Sequence, residues 1–337
     1  MRSLLRFILL LAASLVAAGT AGAEERVLMF ATTNAPSTRL NIQFLHPWAE
    51  AINRDGKGII QFDVRDGTAI ASVANYYDRV TTGVVQVSWG LLSTVAGKFP
   101  RSDVATLPFT AKSAADGSQA LWRLYKAGVL ANEFADLHPL MIIALTPSGI
   151  HMSHPLKSLD NLGGAKLVVA SKVNAEAITL LGGAPLSIPL SDMYEAIQRG
   201  TADGATVAWT SFDPFKLAEV TSYHVDTRLG TSTAMVFMTK AVWDSLSPEA
   251  QKVLDKHSGE AESRAYGAWW DGERKTGKET TIARGDKRTI VELTPEQTAA
   301  WQKKLEPLND NWVKATPDGA KVLAAFKAEL AKIEAGH

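Results

Sequence analysis

SDMYEAIQRGTADGATVAW, Ser191 to Trp209, is the stretch of the sequence that decides the fold. Its first half has the spacing of a short amphipathic helix that Ser191 or Asp192 can cap with a side-chain oxygen, and Gly200 suits the left-handed position just after a helix. The apolar residues that follow predict a short buried strand that ends on Trp209. A helix that leads through a glycine corner into a buried strand is the building unit of an α/β protein.

A second copy of this pattern lies earlier in the chain. Asn75 to Thr82 predicts a helix that stops at Gly83, and the apolar run from Val84 to Trp89 predicts the strand that follows it. Between the two copies, Leu140–Leu145 and Lys166–Ala170 are short apolar runs bounded by turn-forming residues, which is typical of strands that are buried on both faces. Two helix-strand units separated by further strands favour an α/β protein with two lobes.

The last third of the sequence predicts helices. Ser247-Pro248-Glu249 has the cap, the proline at the first helical position and the early acid of a helix start. Thr294 to Gln297 is a second start, with Gln297 in the capping-box position. Asn309–Trp312 and Pro317–Gly319 are polar stretches that we expect to interrupt these helices.

The composition excludes several classes of function. The 337 residues are 46% hydrophobic and carry a formal net charge of zero. No run rich in lysine and arginine appears, so no nucleic-acid partner is expected. The absence of cysteine excludes disulfides, thiol catalysis and the usual zinc-thiolate sites. No GxSxG, Walker, HExxH or GxGxxG motif is present, so we expect neither an enzyme nor a bound cofactor.

The first 23 residues have the pattern of an export signal. Its parts are a basic start at Arg2 and Arg6, an apolar run at Phe7–Ala18 and small residues before a cleavage site near Ala23. The apolar run is short for a hydrocarbon layer of about 30 Å, so a membrane anchor is disfavoured. We expect cleavage near Ala23, which leaves residues 24–337 as the mature, exported protein.

Two tryptophans, Trp89 and Trp209, lie at or near the ends of predicted strands. In α/β sheets the ligand crevice lies outside the carboxyl ends of the strands, so two facing lobes would bring both indoles to one cleft. A large rigid ring there suits a small-molecule pocket, and ordinary core or lobe-interface packing is the alternative. Thr32-Thr33-Asn34 follows the first strand, Val27–Ala31, at the same kind of position, where Asn34 either contacts the ligand or caps a helix.

Several stretches of the sequence occur together in an order and spacing that indicate a known family. They are LSDMYEAIQRGTADG (190–204), FPRSDVATLPF (99–109), HPLKSLDNLGGAKLVVAS (154–171), LLGGAPLSIPL (180–190), HPWAEAIN (46–53), VTTGVVQVSWG (80–90) and VWDSLSPEAQKVL (242–254). With this set the sequence resembles the DctP-type solute-binding proteins of tripartite ATP-independent periplasmic (TRAP) transporters. The match extends over most of the mature chain.

The resemblance implies a fold, a location and a function. The fold is the two-lobed, type II-like periplasmic binding protein fold, with an inter-lobe cleft, connecting strands and long C-terminal helices. Lobe I is expected at about residues 24–145 and lobe II at about 146–240, each with part of the C-terminal helices. The protein would close as a monomer on one small organic solute in the periplasm and deliver it to the TRAP permease subunits. A binding protein for an ABC importer or a sensor kinase is the alternative.

One position departs from the family pattern. Family ligands are mostly organic acids, and an arginine in a segment that reads roughly Leu-Lys-Gly-Leu-Lys-Ile-Arg usually holds the carboxylate. The matching stretch here, Gly163–Val168, puts Val168 at the arginine position. Valine offers no hydrogen bond in place of the planar guanidinium fork. Either Lys172, His151 or Arg79 supplies the charge, or the ligand or its pose has changed, which is the interpretation we favour.

The neighbouring family contacts are changed as well. Asp203-Gly204 is followed by small and apolar residues where the family usually has a polar pair. A pocket with Trp89, Trp209, Phe212 and few cations suits a ligand with a large apolar or aromatic part, or a cationic head group stacked on the indoles. The expected ligand contacts are Asn34, Trp89, His151, Ser171, Lys172, Trp209 and Phe212.

His151 and His154 form an HxxH spacing, which raises the question of a metal. The segment Thr146–Pro155 predicts a loop bounded by prolines, not a helix, and no acid at helical spacing completes a site. No metal is therefore expected. Family members often use this loop for a second polar or basic ligand contact, and His151 and Ser148 compete for that role here.

Overall fold

The computed structural model of the protein describes residues 25–285 and 288–337. The strands are β1 (Arg26–Ala31), β2 (Ile60–Arg65), β3 (Val87–Leu91), β4 (Leu137–Ala144), β5 (Gly149–Met152), β6 (Lys166–Val169), β7 (Ala184–Leu186), β8 (Gly204–Val207), β9 (Tyr223–Asp226), β10 (Thr233–Thr239) and β11 (Thr289–Glu292). The helices are α1 (His46–Asp55), α2 (Tyr76–Thr81), α3 (Ala114–Lys126), α4 (Lys172–Leu180), α5 (Met193–Gln198), α6 (Lys240–Asp244), α7 (Pro248–Lys256), α8 (Glu260–Ala283), α9 (Pro295–Ala315) and α10 (Gly319–Glu334). The predicted export signal and its cleavage near Ala23 lie outside the described residues.

The first sheet has the strand order β2-β1-β3-β10-β4. β1 is parallel to β2 and to β3, whereas β10 is antiparallel to β3 and β4. Because β1 and β3 are parallel neighbours, their carboxyl ends meet at the same edge, where Ala31 lies beside Ser88. The segment after β1 and Trp89 on β3 therefore share one edge of this sheet.

The second sheet has the strand order β11-β9-β5-β8-β6-β7. β6 is parallel to β7 and β8, and β5 is antiparallel to β8 and β9. The pairing of Gly149 with Val207 places the start of β5 beside the end of β8, just before Trp209. The expectation of a loop at Thr146–Pro155 is wrong in part, because His151 lies on β5 and pairs with both neighbouring strands.

The chain passes between the sheets at 145–148 and again at 227–232. β10 follows the second crossing and pairs in the first sheet, although its residues fall within the range expected for lobe II. Alternate residues of a strand face opposite sides, and β6 shows this directly. Val168 packs in the apolar cluster that contains Trp209, whereas Leu167 and Val169 face the larger cluster under α4, α9 and α10.

Helix α8 is the element that packs against both sheets. Near its start, Gly267 lies so close to α3 that an added Cβ would come within 2.4 Å of the Ala114 carbonyl oxygen. Almost three turns further on, a Cβ at Gly277 would come within 2.4 Å of the Trp209 carbonyl oxygen. Both glycines are needed for close approach of backbones. The same helix therefore touches the region of the first sheet and the region of the second.

The predicted helix starts are confirmed, and one predicted interruption is wrong. Ser247 caps α7, and Thr294 with Gln297 forms the capping box of α9. Asn309–Trp312 lies inside α9, because the apolar positions keep the helical spacing through the polar stretch. These positions are Trp301, Leu305 and Leu308, which are buried, followed by Trp312.

The two glycine corners also behave as the sequence predicts. Gly83 follows α2 with φ of 79°, and Gly200 follows α5 with φ of 72°, both in the left-handed region. The expected side-chain cap of α5 is wrong: the Ser191 hydroxyl donates to an Asp192 carboxylate oxygen at 2.9 Å, and neither side chain accepts from the helix. A short 3₁₀ turn leads into the helix instead.

Across residues 25–285 and 288–337, none of the helices combines the length and the hydropathy that crossing a bilayer requires.

Candidate ligand cleft

A cavity of about 690 Å³ lies between the two sheets, with α8 along one side. This is within the usual range for small-molecule pockets. The first sheet contributes Asn34, Ser37, Thr38, Arg39 and Leu40 from the segment after β1, and Trp89 from β3. The segment after β8 contributes Trp209, Thr210, Phe212, Asp213, Pro214 and Ala218. Helix α8 and its end contribute Trp269, Trp270, Glu273, Thr276, Gly277, Thr280, Thr281 and Arg284.

A hydrogen-bond network holds the segment after β1. The side-chain amide of buried Asn41 donates to Asp66 at 2.9 Å and lies 3.0 Å from the Thr32 hydroxyl, which also bonds Asp66. A further bond joins Asp66 to His46 at 2.9 Å. Asn34 lies at the edge of this network and on the cavity wall. The segment is therefore tied to the first sheet where it meets the cavity.

Trp89 forms part of the wall on the first-sheet side and is 6% exposed. Its indole N–H is buried and faces the hydroxyl of Tyr266 on α8, beyond ordinary hydrogen-bond distance. The ring packs in the apolar cluster that includes Tyr266; burial raises the pKa of that phenol well above its ordinary value, and the Trp270 and Trp89 indoles lower it by a smaller amount. Apolar packing, with a weak polar contact to Tyr266, therefore holds the Trp89 ring.

Trp209 is held by polar as well as apolar contacts. It is 1% exposed, and its indole N–H donates to an Asp226 carboxylate oxygen at 3.1 Å. The ring lies 4.6 Å from His151 and 4.6 Å from Phe212, between ring centres. These contacts come from β5, β9 and the segment after β8, so the orientation of this indole is determined on several sides.

Asp226 is in turn held by two cations of α8. Lys278 contacts one carboxylate oxygen at 2.6 Å, and Arg274 contacts the other. Burial alone would raise the pKa of Asp226, but Lys278, Arg274 and the Trp209 N–H together lower it. The carboxylate therefore stays ionised and links the cavity wall to the helix.

Two buried histidines lie behind the Trp209 ring. The Nδ1 atoms of His151 and His224 are 3.1 Å apart, and Nε2 of His151 lies 3.1 Å from the Val207 carbonyl oxygen. Burial, together with the neighbouring imidazole, lowers the pKa of His151 to about 3. Burial and the Arg288 charge lower the pKa of His224 to about 4. Both rings are neutral at pH 7, and one must donate to the other.

A bidentate ion pair crosses the cavity wall between the first sheet and α8. Glu273 accepts from Nε of Arg39 at 2.6 Å and from Nη2 at 2.8 Å. The hydrogen bonds that Arg39 donates to Glu273, with the charges of Glu273 and Asp213, raise the pKa of Arg39. Arg284, at the end of α8, is the second cation on the wall. The charges of the two arginines on the wall are thus balanced by the charges of two acids, Asp213 and Glu273. Much of the remaining wall consists of aromatic rings.

The fold and the cavity are consistent with the protein family that the sequence matches. The sequence profile of the family described as "Bacterial extracellular solute-binding protein, family 7", DctP, matches residues 30–315. The chain belongs to this family. It is a TRAP solute-binding protein, a non-enzymatic transport component of a periplasmic family.

Solved structures of TRAP solute-binding proteins share its fold. One, from a marine metagenome, is described as specific for aromatic acid ligands and was crystallised with 3-hydroxybenzoate; it is 28% identical with a TM-score of 0.81, over 92% of this chain and 99% of that one. A second, from Rhodoferax ferrireducens, holds copurified benzoate and is 26% identical with a TM-score of 0.80, over 91% and 98%. The Comamonas testosteroni protein called "Outer membrane transporter protein TsaT" is 26% identical over 92% of this chain and 93% of its own length.

In this solute-binding protein the residues expected to contact ligand fall into two groups. Asn34, Trp89, Trp209 and Phe212 line the cavity. The other three do not: His151 is fully buried behind Trp209, the Ser171 hydroxyl caps α4 by accepting from the Asn174 N–H, and Lys172 is the exposed first residue of that helix. Ligand contact stays a prediction for all seven.

Val168, which the resemblance places at the family's arginine position, is fully buried and packs in one cluster with Met193, Ala205 and Trp209. Of the cations expected to replace the arginine, Lys172 and Arg79 are exposed and lie outside the cavity wall. His151 is neutral and buried. Apolar side chains therefore surround Val168, and none of these three residues supplies a charge in place of the arginine.

Sequence reasoning missed the contribution of α8 and of Arg39 to the wall of this solute-binding protein. Trp269 and Trp270 stand side by side in a helix whose other residues are mostly polar, and such a pair is a signal that could have drawn attention to it. Nothing in the local sequence distinguishes Arg39 or Glu273 from other surface charges. The two residues form an ion pair only because the fold brings together segments that are 234 residues apart in the sequence.

A metal site finds no support among the described residues, where no three of the His, Asp and Glu side chains form a cluster that could hold an ion. His151 is buried on β5, whereas His154 is exposed and lies 3.0 Å from the Ser153 hydroxyl. The HxxH spacing therefore does not bring the two imidazoles together.

Proposed function

We propose that this protein captures an aromatic carboxylate between its two lobes and delivers it to TRAP permease subunits. The observation that carries the proposal is the aromatic wall of the cavity, to which Trp89, Trp209, Phe212, Trp269 and Trp270 all contribute. Five large rings around about 690 Å³ suit a flat apolar ring better than a small aliphatic diacid.

The comparisons support the same class of ligand. The two solved relatives with 28% and 26% identity hold 3-hydroxybenzoate and benzoate. Both ligands combine one aromatic ring with one carboxylate. In this chain such a ligand would find rings on every side of the cavity and two arginines on its wall.

Capture would occur by closure of lobe I, at about residues 24–145, on lobe II, at about 146–240. The chain crosses between the sheets at 145–148 and 227–232, and α8 packs against both regions, so these segments are the natural hinge. A ligand that contacts both walls favours the closed form, which the permease then recognises. The protein would act in the periplasm as a monomer, after cleavage near Ala23.

A calorimetric titration of the chain from Glu24 onward tests the ligand class. The panel contains benzoate and 3-hydroxybenzoate, with succinate as an aliphatic acid and phenyltrimethylammonium as an aromatic cation. We expect saturable binding of the aromatic acids only. Binding of the aromatic cation alone, or of succinate in preference to benzoate, would overturn the proposal.

A further inference from the structure

If the ligand is an aromatic carboxylate, as in the proposed function on which this assignment rests, a group on the cavity wall must receive its charge. On the described part of the cavity wall, Arg39 and Arg284 are the two cations. Arg284 is exposed at the very end of α8, and no ion pair to a described residue fixes it. Arg39, in contrast, has a defined geometry. Because two acids balance the two cations, recognition of an anion here depends on geometry and not on net charge.

Some of the N–H donors of the Arg39 guanidinium are not used by Glu273. A guanidinium carries five N–H donors, and Glu273 accepts one from Nε and one from Nη2. The two hydrogens of Nη1 and the second hydrogen of Nη2 have no acceptor among the described residues. One hydrogen of Nη1 and the second hydrogen of Nη2 form the end-on edge of the guanidinium, which offers parallel donors to a carboxylate.

Glu273 keeps that edge in place. Its side chain is 16% exposed and projects from the middle of α8, whereas the Arg39 side chain is 52% exposed. An arginine with this exposure would otherwise sample many rotamers, and the cost of ordering it would fall on the ligand. The bidentate contact removes much of that cost before a ligand arrives.

The aromatic residues nearest to this ion pair along the helix fit a ligand with a ring. Trp269 lies one helical turn before Glu273, and Trp270 lies beside it on the same wall. One turn of helix rises about 5.4 Å, which is about the distance from the carboxylate carbon to the far side of a benzene ring. A benzoate whose carboxylate meets Arg39 can therefore lay its ring along these indoles.

We propose that Arg39 is the carboxylate receptor of the cavity and that Glu273 is the positioning residue that presents its free edge. The arginine that is replaced by Val168 in the second sheet is thus replaced in function from the opposite wall. Ser37 and Thr38, next to Arg39 on the wall, add hydroxyl donors at the same end of the cavity.

Calorimetry with 3-hydroxybenzoate and its uncharged counterpart 3-hydroxybenzamide tests the assignment. Arg39→Ala is expected to weaken binding of the acid by about 10- to 100-fold, as for loss of a charged hydrogen-bonded contact, and to change binding of the amide by less than about threefold. Arg39→Lys keeps the charge but not the fork, so we expect an intermediate loss. Glu273→Gln is expected to weaken acid binding by a smaller factor than Arg39→Ala.

Arg65→Ala is the matched control. Arg65 is also 52% exposed and also bonds one acid, Asp63, through Nε and Nη2, but it lies outside the cavity wall. Its replacement is expected to leave the affinity for both probes unchanged. Melting temperatures of all variants confirm that each is folded.

The outcomes separate the two proposals. If the unaltered protein binds 3-hydroxybenzoate and Arg39→Ala binds it equally well, the assignment of Arg39 is overturned and the proposed function stands. If Arg39→Ala weakens the acid and the amide equally, Arg39 shapes the cavity without receiving the charge, which also overturns the assignment. A gain of affinity in Glu273→Gln would show that Glu273 competes with the ligand. If the unaltered protein binds no aromatic acid, the proposed function and the assignment fall together.

Discussion

Trp89 and Trp209 occupy comparable places in the two sheets and are held in different ways. Both line the cavity near the end of a strand, and both are nearly buried. The indole N–H of Trp209 donates to Asp226, whose carboxylate is held by Arg274 and Lys278. The indole N–H of Trp89 faces only the uncharged hydroxyl of Tyr266, beyond ordinary hydrogen-bond distance.

The difference shows that the Trp209 ring is held by a network of charged groups and the Trp89 ring mainly by packing. A hydrogen bond fixes the direction of a ring, whereas apolar contacts tolerate rotation or small shifts. The second-sheet wall, with Trp209, is therefore the rigid reference against which a ligand is oriented. The first-sheet wall, with Trp89, is the one that can adapt to ligands of different outline.

The largest effect is expected for Trp209→Ala. Removing a large side chain that is 1% exposed should lower the free energy of unfolding by about 3 to 5 kcal/mol. Trp89→Ala should cost less, because no hydrogen bond is lost with that ring. Denaturant unfolding of both variants measures the difference. An equal or larger cost for Trp89→Ala would contradict the distinction between the two walls.

The next largest effect is expected for Asp226→Asn, which leaves Arg274 without its carboxylate partner and Lys278 with only the exposed Glu292. The carboxylate is 6% exposed and its partners are 22% and 28% exposed, so we expect a loss of about 2 to 3 kcal/mol, below the range for fully buried pairs. Asp63→Asn, which alters the exposed pair with Arg65, should change stability by less than about 0.5 kcal/mol. Similar losses in the two variants would show that the Asp226 network adds nothing particular.

Acid should lower the free energy of unfolding, because two buried histidines, His151 and His224, lie behind the Trp209 ring. Their pKa values fall from 6.5 to about 3 and about 4 on folding, so the unfolded chain binds more protons between about pH 6.5 and pH 4. Stability is therefore complete above pH 6.5 and is lost as the pH falls through that window.

His224→Asn removes one of these groups. Compared with the unaltered protein, it should lose about 1 to 2 kcal/mol less between pH 6.5 and pH 5. Unfolding curves at several pH values measure the slope, and His154→Gln, at an exposed position, is the control. An unchanged slope in His224→Asn would show that this imidazole titrates alike in the folded and unfolded states.

The smallest effect isolates the indole hydrogen bond. Trp209→Phe and Trp89→Phe remove similar volume, but only the first removes a bond, the one to Asp226 at 3.1 Å. Trp209→Phe should therefore be the less stable of the two by about 1 kcal/mol. Thermal unfolding of the pair tests this, and a difference of zero would mean that Asp226 gains as much from its cations alone.

Much of the fold can be predicted from the sequence because its signals are local. The apolar runs around Val168 and Trp89, the glycines at 83 and 200, and the cap at Ser247 depend on neighbours within a few residues. The polar stretch Asn309–Trp312 does not interrupt its helix because a helix needs only one apolar face, and Leu308 and Trp312 maintain it. The sequence favours a loop for His151 because prolines bound the segment and β5 has only four residues, Gly149–Met152.

The site was predicted only where it lies at strand ends. Asn34, Trp209 and Phe212 follow strands, and Trp89 lies two residues before the end of β3. Strand ends gather at one crevice by topology. Arg39 and Glu273 meet only because α8 returns along the cavity late in the chain. No local pattern shows which face of a polar helix will do so, and the sequence therefore offers Lys172, His151 and Arg79 as candidate cations but not Arg39.

The cavity wall also gives the protein a spectroscopic signal of its own. Four of the nine tryptophans, Trp89, Trp209, Trp269 and Trp270, surround one ligand-sized space. Indole emission responds to the polarity and to the ring systems around it, so a solute that enters the cavity changes the light from nearly half of the fluorophores in the chain. The unlabelled protein can therefore serve as its own optical sensor, with Trp89 and Trp209 replaced in turn to assign the response to one wall or the other.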